Sequence, residues 1–257
     1  MATTVAVEGI TRITRATDAR ELATRVYDRM LDLLEQLEPT DWQARTECPA
    51  WDVADMVGHL IGAAKGHAST RELVRQQVWA ARHRRAHDGN RLDAMNALQV
   101  ADHHHLTPPE RIAALRAIAP DAVEGRMDLP GPLRRVQLGM DPGGSTAAGM
   151  PPKITLGNLM DAILTRDVWL HRIDIARAVG RSLDVDPAVD GRIVADVVAE
   201  WAGRHDEPFE LELTGPAGGR FRRGNGGQHI EMDAIEFARV LSGRAQGTGL
   251  LGIRVVF

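Results

Sequence analysis

The chain has 257 residues, a formal net charge of -4, 44% hydrophobic residues and 26% charged residues. That composition fits a soluble globular protein long enough to bury a sizeable core; it gives no electrostatic case for nucleic acid or an anionic membrane surface, and no apolar run reaches the ~18 residues of a membrane span. The single cysteine, Cys48, excludes an internal disulfide and any cysteine-rich zinc cluster.

The run MATTVAVEGITRITRATDAR lacks the basic start and apolar core of a secretory signal, so a cytoplasmic protein is expected. Residues 1–15 have no helical period and are expected to form a mobile arm or an edge strand. From Asp18 onward, Leu22, Val26, Met30, Leu33, Leu34 and Leu37 recur at three- and four-residue steps. That spacing predicts an amphipathic helix closed by Pro39. After the connector PTDWQARTECPAW, Asp52 and Asp55 have the form of a capping box at the start of a second helix. Its stripe is Val53, Met56, Val57, Leu60 and Ala64, and the pattern runs past Gly66 toward Trp79.

The run AARHRRAHDGN reads as a solvated break. Helical pattern resumes through Leu92, Met95 and Leu98, and again after Pro108 and Pro109 through Ile112, Leu115 and Ile118. The longest irregular stretch, Asp128 to Pro152, is of a length usually functional or disordered. A helix from Thr155 to Val179 follows, then one around Ala188–Trp201. The alternation in FELEL marks a strand, TGPAGGRF a turn into further strand-like residues, and MDAIEFARVLSG a short helix ended by Gly243. LLGIRVVF is expected to be a terminal strand. The order implies an α+β protein: an arm over 1–16, a helical bundle over 17–182 and a small α+β domain over 183–257.

Three residues stand out as chemistry. Asp167 and His171 are four residues apart on a helix whose preceding residues Met160, Ile163 and Leu164 follow core spacing. They therefore share one helix face. Burying either without a partner costs several kcal/mol. With His59, at the margin of the apolar stripe of the second helix, they make two imidazoles and a carboxylate. That donor set suits a divalent metal with an open position, zinc among others, and bundles hold metals through ligands projecting inward from facing helices. The competing reading is an i, i+4 Asp–His hydrogen bond at a core edge. Three further groups read as structural. The run His103–His105 is expected at the surface, because consecutive helical residues do not converge on one ion. Arg82, Arg84 and Arg85 form a solvated cluster. Asp174 either orients a ligand or, more simply, pairs with Arg177.

TECPAWDVADMVGHL and TRDVWLHRIDIARA together resemble the mycothiol-dependent maleylpyruvate isomerase family, and FELELTGPAGGRF with IEFARVLSGR resembles its carboxy-terminal domain. The resemblance implies a DinB-like four-helix bundle followed by a small α/β domain related to sterol carrier folds. It implies a divalent metal, generally zinc, on His59, Asp167 and His171, with mycothiol as the thiol cosubstrate. Asp167 departs from the family pattern, which has glutamate there; aspartate is one methylene shorter. Mycothiol would bind the metal as a thiolate and add to an electrophilic carbon, giving cis–trans isomerisation or S-transfer, so Cys48 is not the nucleophile. The expected partner is a small electrophile, a dicarboxylate among the candidates, with Arg244 of LSGR as the catalytic residue that would bind its carboxylate. No nucleic-acid or membrane partner is implied, and a homodimer is compatible. The second reading is a non-catalytic binding protein with a degenerate metal site, whose carboxy-terminal domain holds an apolar ligand or a partner.

Overall fold

The computed structural model describes residues 3–139 and 151–257. The bundle is built from α1 (Ala19–Leu34), α2 (Val53–Ala68), α5 (Pro108–Met127) and α8 (Leu164–Ala178), while α3 (Thr70–His83) and α4 (Arg91–His103) pack on α2. Helix α1 buries Leu22, Val26, Met30 and Leu34 along one stripe. Asp52 and Asp55 close a reciprocal capping box at the start of α2, and Thr107 and Glu110 do so before α5. Among the described residues, no helix is long and apolar enough to cross a membrane.

Helix α2 does not run on to Trp79. It ends at Ala68, where Ser69 takes an extended conformation and its side chain caps α3 through the Glu72 amide. The apolar period alone did not reveal this cap. Past α5, the expected irregular stretch from Asp128 contains the short helix α6 (Gly131–Arg134) and a hairpin of β2 (Gln137–Gly139) and β3 (Lys153–Thr155). The rest of that stretch, residues 140–150, lies outside the described residues. A single turn, α7 (Leu156–Asn158), leads through a π-helical segment, Leu159–Ile163, into α8. The Met160 carbonyl of this segment accepts from Arg126 Nε at 2.8 Å.

The carboxy-terminal half is an α+β layer. Helix α9 (Asp190–His205) and α10 (Ala234–Ser242) pack on a sheet of β1 (Thr4–Ala6), β4 (Phe209–Thr214), β5 (Gly219–Arg223) and β6 (Gln228–Asp233), in the order β1-β5-β4-β6. The amino-terminal arm thus supplies an edge strand, parallel to β5 with Val5 opposite Phe221. Trp201, Phe209 and Phe237 interlock between helices and sheet. Gly243 terminates α10 with φ of 91°, a conformation that glycine adopts without steric cost.

LLGIRVVF is not a strand. Gly249–Gly252 forms a 3-10 turn, and the residues after it make no ladder. Val255 donates to Leu241, and Val256 joins Ile154 and Ile163 in a small second core. Burial in these two cores overrode β propensity.

Helix α8 is buried on nearly every side. Its Arg166, Trp169 and Arg172 meet Asp196, Glu200 and Asp190 of α9. The opposite face carries Asp167 and His171 toward α2, which places the candidate residues inside the bundle.

Candidate metal centre

The structure brings His59, Asp167 and His171 together. One oxygen of Asp167 lies 3.3 Å from His171 Nε2 and the other 3.7 Å from His59 Nε2. Ligand atoms of all three residues fall within 4.8 Å of one another. Two donors about 2.1 Å from a tetrahedral ion stand about 3.4 Å apart, so the observed separations bracket that value. The shorter side chain of Asp167 reaches both imidazoles. Both imidazoles are buried, and their rings meet edge to face with centroids 5.5 Å apart.

Each imidazole is held from behind through Nδ1. His171 Nδ1 is 3.0 Å from Asp174 Oδ2, and His59 Nδ1 is 2.8 Å from Gln99 Oε1. Bonds of this kind fix ring orientation and leave Nε2 free to face a ligand. Asp174 is fully buried and also accepts two bonds from Arg244, both 2.6 Å. It does not pair with Arg177, which reaches Glu47 and Glu236 instead. Nε and Nη2 of Arg244 are committed to Asp174, so a substrate carboxylate would have to compete for that edge of the guanidinium.

Burial alone would raise the Asp167 carboxyl and lower the His171 imidazole. The charge and hydrogen bond between them outweigh burial in both cases. Asp167 is held well below the usual carboxylate range, and His171, with Asp174 behind it, is pushed up to about 9. The donor chemistry fits a cation that takes the place of that proton.

The connector before α2 folds over the centre. Trp51 donates its amide to the Cys48 carbonyl, and its own carbonyl accepts from Thr46. Its indole stacks on His59 with centroids 4.9 Å apart and lies 6.1 Å from His171. Glu47 ties this turn to Arg239 of α10. Cys48 comes within 4.8 Å of ligand atoms of His171 and Asp174. Burial, then the Asp174 charge, push its thiol up to about 11, so it is not a ready nucleophile.

The other candidates lie elsewhere. Arg82, Arg84 and Arg85 are exposed. His103 is buried, contrary to the surface expectation for the triple histidine, while His104 and His105 are exposed. Its Nδ1 donates to the Gln99 carbonyl and its Nε2 accepts from Lys65 at 2.9 Å. His103 is the last residue of α4 and faces α2, whereas His104 and His105 lie in the turn beyond the helix. Sequence reasoning passed over Trp51, Gln76 and Gln99. The readable signal for the last two was the spacing Gly58, Gly62, Gly66, a row of three glycines on one face of α2.

Residues 23–176 match the family model described as the mycothiol maleylpyruvate isomerase N-terminal domain. A crystal structure of a mycothiol-dependent maleylpyruvate isomerase has a similar fold, with a TM-score of 0.55 and 13% identity over 94% of this chain and 93% of that one. The structure of a histidine-to-alanine mutant under the same name gives a TM-score of 0.54 and 12% identity, with the same coverage. No curated protein matches the sequence.

Proposed function

The chain belongs to the mycothiol maleylpyruvate isomerase family, and from that premise we propose that it is a metal- and mycothiol-dependent isomerase of a cis-unsaturated carboxylic acid. The observation that carries this reading is the convergence of two imidazole Nε2 atoms and one carboxylate, with both Nδ1 atoms already bonded elsewhere. His59, Asp167 and His171 would hold the ion, zinc on this donor set. Such an ion would supply Lewis acidity that favours the ionised form of a thiol near neutral pH, and the thiol cosubstrate would supply the sulfur for reversible addition across the double bond.

The chain's own residues orient this chemistry. Asp174 receives the Nδ1 proton of His171 and keeps that ring turned to the centre, and Arg244 holds Asp174 in place. Trp51 lays an aromatic wall against His59, which limits water on that side. Cys48, protonated and beside His171, leaves the sulfur chemistry to the cosubstrate.

Metal analysis of protein purified without chelators tests the reading. About one zinc per chain is expected in the wild type, with loss in His59→Ala and His171→Ala. Thiol-dependent isomerisation of maleylpyruvate should fall in the same variants by about 10²–10³-fold, the scale of removing one electrostatic group from a reaction centre. Isomerisation that survives both substitutions would place the reaction elsewhere, and metal absent from all three proteins would favour the non-catalytic binding reading.

A further inference from the structure

Behind His59 runs a line of buried amides for which the proposed reaction has no other use. Gln99 of α4 and Gln76 of α3 are 2% and 1% exposed. His59 Nδ1 lies 2.8 Å from Gln99 Oε1, and Gln99 Nε2 donates to Gln76 Oε1 at 2.8 Å. Gln76 Nε2 in turn donates to the Gly62 carbonyl and to Glu72 Oε1, both at 2.9 Å.

The direction of this chain is forced from its far end. A backbone carbonyl can only accept, and so can an ionised carboxylate. Arg75, bonded to Glu72, holds that carboxyl below its usual range and so keeps it ionised. Gln76 must therefore turn its NH2 toward Gly62 and Glu72 and its oxygen toward Gln99. Gln99 must then turn its NH2 toward Gln76 and its oxygen toward His59. An oxygen facing Nδ1 demands a hydrogen there, so the neutral imidazole keeps its lone pair on Nε2. That nitrogen is the one pointing at Asp167.

Helix α2 is shaped to admit the relay. A Cβ at Gly62 would meet Cβ, Cγ and Cα of Gln99 at 2.6, 2.7 and 3.0 Å, and one at Gly66 would meet Gln76 Oε1 at 3.1 Å. The glycines thus let α3 and α4 bring their amides close enough to bond, which a larger residue would prevent.

We propose that Gln99 and Gln76 are positioning residues that lock His59 as its Nδ1–H tautomer, with Nε2 presented to the metal centre, and that the Gly62 carbonyl sets the direction of the lock. The consequence for metal binding rests on the reading above; the tautomer itself does not. Free imidazole is a mixture of tautomers, so a fixed ring removes a cost that each binding event would otherwise carry. Partners of this kind behind a metal ligand are worth about 10–100-fold in affinity.

The test uses the full chain. Nitrogen-15 NMR of the metal-free protein, at alkaline pH where imidazole is neutral, reads the His59 tautomer directly. Competition against a chromophoric chelator reads zinc affinity. The wild type should carry the His59 proton on Nδ1. Gln99→Leu should give a mixed tautomer and about 10–100-fold weaker zinc binding. Gln76→Leu should move both readouts the same way but less, because the Gln99 amide becomes free to turn over. Glu72→Gln should leave both unchanged, since the Gly62 carbonyl still orients Gln76. A wild-type His59 protonated on Nε2 overturns the proposal without any variant, and so does a folded Gln99→Leu with wild-type tautomer and affinity. A wild type with the Nδ1–H tautomer that binds no zinc upholds the lock and defeats the metal reading instead.

Discussion

His67 sits two turns beyond His59 on α2, and its Nδ1 is buried with no hydrogen-bond partner among the described residues. Burial, reinforced by the Arg126 guanidinium, pushes its imidazole down to about 3. An unfolded histidine titrates near 6.5. Between those values the unfolded chain binds a proton that the folded chain refuses, so stability is full above about 6.5 and falls as pH drops toward 3. The slope from this one residue is about 1.4 kcal/mol per pH unit. Urea unfolding of the metal-free protein at a series of acidic pH values should give a wild-type slope steeper than that of His67→Met by about 1.4 kcal/mol per pH unit. An identical slope in the two proteins would mean that His67 is protonated in the folded state. At this scale the sequence was legible where function is local. Asp167 and His171 announce themselves by spacing within one helix, whereas Gln99 and Gln76 are 40 and 23 residues from their partners. The glycine row on α2 marks where another helix comes close, but no spacing names the partner at that range.

Elements were legible where their signals are short-range and strong. The Asp52–Asp55 capping box, the FELEL strand and the Gly243 stop all act within a few residues, and all three stand in the structure. The terminal segment departs from its strand-like pattern because Val255 is buried in the main core and Val256 in the small core beside Ile154 and Ile163. Glycines tell a similar story on α2. In the sequence Gly62 looks like a defect, since glycine costs a helix about 1 kcal/mol relative to alanine. In the fold it is the point of closest approach to α4. Gly62→Ala should therefore destabilise the protein despite its better helix propensity. The Cβ would collide with the Gln99 backbone and side chain, and overpacking of this kind costs about 1–3 kcal/mol. Gly203, where a Cβ meets nothing within 4 Å, provides the comparison. Gly203→Ala lies within α9 and should gain up to about 1 kcal/mol. Thermal melts of the two variants would check the opposite signs.

Seen whole, the bundle and the α+β layer share one core, which runs without a break from Leu22 and Met56 through Trp169 to Trp201 and Phe237. Buried ion pairs cross the same seam: Arg166 with Asp196, Arg172 with Asp190, and Arg244 with Asp174. Such pairs add little net stability when complete, but breaking one leaves an uncompensated buried charge at a cost of about 3–5 kcal/mol. The Arg244 pair ends at the candidate metal centre, because Asp174 also carries His171. Arg244→Met should consequently do two things at once. It should lower stability by about 3 kcal/mol within a single cooperative transition, and it should weaken zinc binding by about 10-fold or more although Arg244 offers no ligand atom. Adding Asp174→Asn should recover part of the stability, since the stranded charge is gone, and should not recover zinc affinity, since an uncharged amide holds the His171 ring less strongly. Arg220→Met, at an exposed pair with Glu212 on the sheet, should change neither quantity by more than the ~1 kcal/mol of a surface ion pair. Denaturation followed by both tryptophan fluorescence and circular dichroism would separate the cases. Two transitions in the wild type would show that the halves unfold independently. A destabilised Arg244→Met with undiminished zinc affinity would show that His171 does not need its distant support.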